Sequence, residues 1–529
     1  MDEAYRARPS LDDARTVLAE RFGYQDFRSG QRRVIEAVLA GRDTMAVMPT
    51  GAGKSVCYQV PAALLGGLTL VVSPLISLMA DQVRSLKEAG IRGSFYNSTL
   101  KPRVRPEVLR RALAGWYDLM YVAPERLADQ EFRAFAACAQ VPLVAVDEAH
   151  CVSQWGNDFR PAYCGIADFV ASLPKRPVVA ALTATATGRV REDVRTLLDL
   201  RDPVVEVSGF DRPNLRLASF ELTPKQRERW VCAYATGHPA DTGIVYATTR
   251  KKVEQIASQL REEGVAVAAY HAGMTDGERT RSQEAFVNDD VQVMVATNAF
   301  GMGIDKSNVR YVINCGLPQS LEEYYQEAGR AGRDGEPSAC YLLWSRGDIR
   351  TCHFFIDNTP FAEDVPPAER QALRARRERL LGEMIGYAMS TSCLRSRVLR
   401  YFGQRLEEGS QGCGSCSVCT GETAGSSPYL GRAATRTVEL RRERREGTGD
   451  PQAPASDVAD EELFERLRAL RKRLAGEARV PPYVVFSDRT LRAMVRDRPQ
   501  TAEQLLEVSG VGQTKLKRYG AAFLEELAR

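Results

Sequence analysis

Between about residues 20 and 345, short apolar runs alternate with stretches of helical periodicity: TMAVM, LTLVVS, DLMYV, LVAVD, VVAAL, GIVYA, VQVMVA and YVINC. Unbroken apolar runs of this length are expected of strands buried on both faces, and their alternation with helices predicts βαβ units around parallel sheets. The number of runs suits two sheets better than one. A break falls near residues 203 to 225, where DRPNLR and TP interrupt the pattern. From Ser55 to Ala80 no charged residue occurs, a length that meets the criterion for a membrane span. Pro61, Gly66, Gly67 and Pro74 cut it, however, and it reads as helix, turn, buried strand and the start of another helix. Residues 365 to 408 are helical in pattern and rich in Arg. Beyond them, GETAGSSPYLGR and EGTGDPQAPASD have linker composition, and from Asp457 a helical pattern resumes with Leu463, Leu467, Leu470 and Leu474 on one face.

Composition then bounds the function. A chain of 529 residues exceeds a single core and suggests three to four domains. With 44% hydrophobic and 26% charged residues it falls near the globular average, which excludes global disorder and fibrous repeats. The formal net charge is only +4, so any nucleic-acid surface must be local. The N-terminus, MDEAYRARPS, has no apolar core of a secretory signal, and a cytoplasmic protein without a membrane partner is expected. Of the 12 cysteines, Cys57, Cys138, Cys151, Cys164, Cys232, Cys315, Cys340 and Cys352 are scattered singly in apolar stretches, as reduced core thiols would be.

Three motifs carry chemistry. MPTGAGKS, Met48 to Ser55, follows a predicted strand and opens a helix, where backbone N–H groups face a triphosphate. Lys54 then reaches the β and γ phosphates, and the Ser55 hydroxyl holds Mg²⁺. The pattern departs from the usual P-loop at Met48, where Gly is expected. In LVAVDEAH, Asp147 and Glu148 end an apolar strand, placing one carboxylate near the Mg²⁺ water shell and making Glu148 the candidate base. QEAGRAGRDG carries Arg330 and Arg333, candidate arginine fingers across an interdomain cleft, although alone it reads rather as a solvated basic loop.

These motifs share one order with FGYQDFRSGQ, VVSPLISLMADQV, LTATAT (182–187), YHAGM (270–274) and ATNAFGMGIDK (296–306). The whole resembles a superfamily-two helicase core and, most closely, the RecQ family of DNA helicases, over residues 11 to 420 and again 457 to 525. The resemblance implies two RecA-like motor domains. It makes Tyr24, Arg28 and Gln31 the adenine site, with Tyr24 stacking and Gln31 bonding the base edge. Thr50, Gly51, Ala52, Gly53, Lys54 and Ser55 would hold the phosphates, and Asp305 would lie near the ribose. Arg333 is favoured over Arg330 for the transition-state contact. CVSQWGNDFRPAY, directly after DEAH, resembles the aromatic-rich loop that couples DNA binding to hydrolysis. In it Gln154, Trp155, Phe159 and Arg160 are the coupling candidates, through base stacking and a phosphate or cation–π contact. Asn157 stands where the family usually has His.

Cys413, Cys416 and Cys419 form C-x2-C-x2-C, with Cys393 upstream behind a helical stretch. Four thiolates at this spacing suit a closed tetrahedral Zn²⁺ site. An iron–sulfur cluster is the competitor, but its run expects another Cys where Glu422 and Thr423 stand. The resemblance also implies a RecQ-type zinc module here. Only linker-like residues, Thr420 to Ser456, then separate the zinc site from the last domain, so the winged helix of longer RecQ enzymes is expected to be absent. Arg432, Arg436, Arg441, Arg442, Arg444 and Arg445 in that linker read as a solvated helix before a DNA contact. VSGVGQTKLKRYG resembles an HRDC domain, where Gly510, Val511 and Gly512 would bring a helix N-terminus to a phosphate, with Lys515, Lys517 and Arg518 adding charge.

The expected architecture is α/β: RecA-like domain 1 over 1–207, RecA-like domain 2 over 208–345, a helical zinc-binding module over 346–420, a basic linker over 421–456 and an all-α HRDC-like bundle over 457–529. The expected activity is ATP- and Mg²⁺-dependent DNA unwinding in recombination and repair, 3′ to 5′ by the family. Single-stranded and forked or tailed duplex DNA would be the substrates, single-stranded-DNA-binding protein a partner, and the bacterial nucleoid the place of action. A DNA-stimulated translocase that unwinds weakly is the near alternative, a DEAH-type RNA helicase the remoter one.

Overall fold

The structure is a computed structural model that describes residues 8–49, 51–74, 76–156, 158–300, 306–359, 366–406, 409–430, 455–478 and 480–529. Thr50, Asn157, Asp305 and the linker arginines from Arg432 to Arg445 lie outside the described residues. The chain divides into two units, one of residues 1–210 together with 463–480 and 484–529, the other of 211–462 with 481–483.

The first unit is built on seven strands: β1 (Thr44–Val47), β2 (Thr69–Val72), β3 (Gly93–Tyr96), β4 (Leu119–Val122), β5 (Leu143–Val146), β6 (Val178–Thr183) and β7 (Val204–Val207). Their order is β3-β4-β2-β5-β6-β1-β7, and every pairing is parallel. The helices are α1 (Leu11–Val17), α2 (Ser29–Leu39), α3 (Val56–Leu64), α4 (Ile76–Glu88), α5 (Arg105–Leu113), α6 (Gln130–Cys138), α7 (Ile166–Ala171) and α8 (Gly188–Leu197). Strands β1, β2, β4 and β5 are buried at every position, which is why they read as continuous apolar runs. The uncharged segment from Ser55 folds as α3, β2 and the start of α4, and no helix among the described residues is long and apolar enough to cross a membrane. Because the order runs β5-β6-β1, the loops after β5 and β1 emerge on the same edge with the end of β6 between them.

The second unit has a six-stranded parallel sheet of β8 (Leu215–Glu221), β9 (Thr242–Ala247), β10 (Val267–Tyr270), β11 (Val293–Ala296), β12 (Val309–Cys315) and β13 (Ser338–Trp344), ordered β10-β11-β9-β12-β13-β8. Helices α9 (Pro224–Gly237), α10 (Arg250–Glu262), α11 (Asp276–Val287) and α12 (Leu321–Ala328) accompany it. They are followed by α13 (Arg346–Asn358), α14 (Pro367–Ala388) and α15 (Leu394–Tyr401). The interval read as a break between the sheets holds two strands, β7 and β8, which carry charged or polar residues between their apolar ones.

Two expectations are corrected here. Residues 421 to 430 do not behave as linker: Ser427 Oγ accepts the buried Trp230 Nε1–H at 2.8 Å, and Tyr429 packs against Trp230 and Tyr234 with centroids 5.2 and 5.0 Å apart. A buried indole N–H needs a partner, and this segment supplies it. Nor are all eight single cysteines core thiols, since Cys138 and Cys164 are exposed and Cys232 is half-buried.

The C-terminal helices are α16 (Ala455–Ala478), α17 (Pro482–Val485), α18 (Asp488–Asp497), α19 (Ala502–Glu507) and α20 (Gln513–Ala528). Leu463, Leu467 and Leu470 enter a core with Phe486, Leu491, Met494 and Phe523, while Leu474 is packed at its margin. Within the first unit this bundle meets the end of the N-terminal helix. Gly510 N–H donates to Gly23 O at 3.2 Å, Arg518 pairs with Glu88, and a Cβ placed on Gly23 (φ +75°) would stand 2.6 Å from Gly512 N. The hairpin expected to approach a phosphate thus has its backbone engaged by Gly23.

Candidate active site and coupling loop

The phosphate loop leaves β1 at Met48, and α3 starts at Val56 behind Ser55. Gly51 and Gly53 both have positive φ, 82° and 78°, and the loop curls accordingly. Lys54 Nζ donates to Met48 O at 3.2 Å, so its ammonium lies over the mouth of the loop. From α2, buried Gln31 donates to Ala52 O and Gly53 O at 3.0 and 3.1 Å and accepts from Arg28 N–H at 3.1 Å. Arg28 Nη1 donates to Gly51 O at 2.9 Å. Two of the three residues assigned to the adenine site, Arg28 and Gln31, therefore brace the phosphate loop, and Gln31's amide is directed at the loop's carbonyls. Tyr24 is 49% exposed, its ring presented to solvent as a stacking surface.

At the end of β5, Asp147 N–H donates to Val72 O at 2.9 Å, extending the ladder, and its carbonyl accepts from Tyr163 Oη at 2.9 Å. Burial, and next the Glu148 carboxylate, push the Asp147 carboxyl up to about 7. Glu148 sits in the left-handed region (φ 47°), a conformation costing about 1–3 kcal/mol in a residue that is not Gly. Its Oε2 is buried without a hydrogen bond, 3.3 Å from His150 Nδ1. Two crowded acids, one with an uncommitted buried oxygen, make a donor set suited to a hard divalent cation. His150 is itself buried, which lowers its pKa and keeps the ring neutral. His150 Nδ1 lies 2.8 Å from Thr183 Oγ1, at the end of β6, and Thr183 O accepts from Met48 N–H at 2.9 Å. The LTATAT segment is thereby hydrogen-bonded both to the acidic strand end and to the phosphate loop.

The aromatic-rich loop follows at once. Ser153 Oγ donates to Asp193 Oδ2 of α8 at 2.5 Å and accepts from Trp155 N–H at 3.0 Å. Gly156 lets the loop close on DEAH, since a Cβ there would lie 2.1 Å from His150 O. Gln154 is exposed, Phe159 is 36% exposed and Trp155 is half-buried. Arg160 donates to Asp158 Oδ2 at 2.9 Å and to Pro74 O at 3.1 Å, so it ties the loop to the segment before α4. Arg189 of α8 lies over the Trp155 ring, its Cζ 3.2 Å from the centroid. Sequence reading passed over Arg189, because nothing local marks a helix arginine as the neighbour of a ring more than thirty residues away.

In the second unit, α12 ends just before Arg330, which is 8% exposed and lies beside the buried Tyr246 hydroxyl. Arg333 is half-buried. The loop carrying both is fastened by Arg212, donating to Ala331 O at 3.0 Å and Gly332 O at 2.9 Å, and by Asn214, donating to Gly332 O at 2.9 Å and Glu336 O at 3.0 Å. These two residues belong to DRPNLR, read from the sequence only as a break.

The sulfur atoms of Cys393, Cys413, Cys416 and Cys419 all lie within 4.8 Å of one another. A tetrahedral zinc site with bonds of about 2.3 Å needs sulfurs about 3.8 Å apart, and Cys416 Sγ and Cys393 Sγ are 4.0 Å apart. The Cys393 sulfur accepts from Cys413 N–H at 3.3 Å and the Cys413 sulfur from Cys416 N–H at 3.3 Å, the N–H···S bonds that stabilise thiolates. Both chemistry and geometry suit Zn²⁺.

Comparison with known proteins bears on the whole chain. Family models for a DEAD/DEAH box helicase (residues 28–194), a helicase conserved C-terminal domain (226–335), a RecQ zinc-binding domain (346–420) and an HRDC domain (460–527) match in that order. The chain is 37% identical to the ATP-dependent DNA helicase RecQ of Bacillus subtilis, covering 98% of each chain. It is 35% identical to that of Pasteurella multocida, covering 98% of this chain and 94% of the relative. The chain belongs to the RecQ family. As a RecQ-type protein it is an ATP-driven DNA helicase that uses ATP, Mg²⁺ and a zinc-binding module, and neither the weakly unwinding translocase nor the RNA-helicase reading is favoured. Among solved structures, Mss116p bound to single-stranded RNA (TM-score 0.56, 16% identity, 75% of this chain and 92% of that one) shares the fold of the RecQ motor. So does the DUF1998 helicase MrfA bound to DNA (0.54, 17%, 77% and 61%). In this RecQ chain, Gly156→Ala is expected to cut DNA stimulation of ATP hydrolysis several-fold by lifting the loop off DEAH, checked by ATPase assay with and without single-stranded DNA.

Proposed function

We propose that the chain steps along single-stranded DNA from 3′ to 5′ and displaces the opposing strand at tailed or forked duplexes during recombination and repair. The observation that carries this reading is the continuous link from the phosphate loop through Thr183 and His150 to the aromatic loop after DEAH. Tyr24 stacks on the adenine and Arg28 and Gln31 shape its pocket; Thr50, Gly51, Ala52, Gly53, Lys54 and Ser55 bind the phosphates, and Asp305 serves the ribose side. The Ser55 hydroxyl and Asp147, through water, would hold Mg²⁺, which when bound screens the phosphate oxygens. Glu148 takes a proton from the water that attacks the γ-phosphorus as the bond to the β-phosphate oxygen breaks. Charge developing on the transferring group is assigned to Arg333, with Arg330 in support. The burial of Arg330 against Tyr246 favours that division.

Gln154, Trp155, Phe159 and Arg160 report DNA occupancy to this site, Trp155 and Phe159 by stacking on unpaired bases. Trp155→Ala is expected to lose most DNA stimulation while keeping basal hydrolysis within about two-fold, measured as phosphate release at saturating ATP; equal loss of both would remove the coupling role. The alignment to the Bacillus relative spans 597 positions, more than the 529 residues of the chain, so that relative carries internal segments this chain lacks. That surplus supports the reading that the winged helix is lacking here. Unwinding then rests on the motor and zinc module, with proteins that coat single strands as partners at the nucleoid. Strand displacement on 3′-tailed, 5′-tailed and forked duplexes tests the reading. Displacement of 3′-tailed and forked substrates only is expected, and robust hydrolysis without displacement would leave a translocase.

A further inference from the structure

Helix α8 begins directly after LTATAT, and its first turns face the aromatic loop twice. Arg189 lies over the Trp155 ring at 3.2 Å, and Asp193, one helical turn further on the same face, accepts the Ser153 hydroxyl at 2.5 Å. The same serine oxygen accepts the Trp155 N–H, so the backbone of the loop and its indole are both referred to α8. A guanidinium at that height occupies the π face, the surface on which an unpaired base would stack. Arg189 itself is exposed and can swing away without disturbing the core.

We infer that Arg189 is a positioning residue for DNA-dependent hydrolysis: it covers Trp155 when no DNA is bound, and an arriving base displaces it from the ring into solvent. The inference rests on the proposed coupling role of the loop. It makes Trp155 engagement an exchange of one planar partner for another, so that α8 registers the base through the loss of its own contact. The threshold for stimulation is then set by competition between Arg189 and the base.

The test uses full-length protein with Arg189→Ala, Arg189→Lys, Trp155→Ala and the Arg189→Ala/Trp155→Ala double variant. Basal ATPase and the concentration of an unstructured oligothymidylate giving half-maximal stimulation are measured, with thermal melts to verify folding. Arg189→Ala is expected to lower the half-maximal concentration about 3- to 10-fold, with the maximal rate within two-fold. Arg189→Lys, which keeps the charge and loses the planar stack, is expected to fall between. In the Trp155→Ala background the Arg189 change should no longer shift the threshold. An unchanged or raised half-maximal concentration in Arg189→Ala, or a shift that persists without Trp155, overturns the inference while leaving the coupling role intact. If Trp155→Ala alone keeps normal stimulation, the coupling role fails and the inference with it.

Discussion

Lys54→Ala is expected to reduce DNA-stimulated ATP hydrolysis by at least about 100- to 1000-fold, the scale of removing one preorganised charge from a polyanionic transition state. Lys54 stands at the start of α3 with its ammonium against Met48 O. That bond is a part-buried contact within the loop and not a core contact, so the melting temperature should move by no more than a few degrees. Gln31 and Arg28 hold the loop from α2 through Ala52, Gly53 and Gly51, and keep its shape when the ammonium is gone. The variant should therefore still bind single-stranded DNA while failing to release phosphate. Retention of a tenth of wild-type turnover would show that the charge at residue 54 does not face the phosphates.

Zinc removal should have the second large effect, on stability. Cys416 is fully buried; Cys416→Ser leaves three crowded thiols, and stripping of the metal leaves four, without their common ligand. A structural zinc contributes about 10–16 kcal/mol of apparent binding energy, comparable with the whole stability of a domain, about 5–15 kcal/mol. The loop it organises also covers a sheet edge: Ser417 N–H donates to Leu217 O at 2.9 Å, and Ser417 Oγ accepts from Ser219 N–H at 3.3 Å. Strand β8 is the terminal strand of its sheet, so releasing this loop uncovers an unpaired edge, a template for aggregation. The melting temperature is expected to fall by about 10 °C or more, accompanied by light scattering and by loss of about one zinc per chain. A metal-stripped protein that melts unchanged and stays clear would argue against a structural zinc.

The signals that could be read from the sequence were those fixed by local chemistry. The strands buried on both faces, β1, β2, β4 and β5, announced themselves as apolar runs, and the glycines and lysine of TGAGKS, the acids of DEAH and the cysteine spacing each imply their chemistry at short range. Strands β7 and β8 were not legible, because an edge position tolerates the polar residues that hid them. The same reason concealed Arg212 and Asn214, whose purpose is apparent only when carbonyls over a hundred residues away are brought to them. Residues 421 to 430 looked like linker for want of apolar content, yet a single indole N–H gives them a place. Arg160, read as a DNA contact, also bonds Asp158 and Pro74 O, and the guanidinium over Trp155 comes from Arg189, which no local signal marks.

The junction of Gly23 with Gly510 and Gly512 bears on how truncated forms of such a protein are interpreted. Gly23 immediately precedes Tyr24, and its left-handed turn is lined by the backbone of the C-terminal hairpin rather than by side chains. Deleting the C-terminal bundle therefore takes away more than a module: it removes one wall from the turn that presents the tyrosine. A change in nucleotide affinity after such a deletion would be a local consequence of that lost wall, to be separated from any change in DNA affinity before either is credited to the bundle itself.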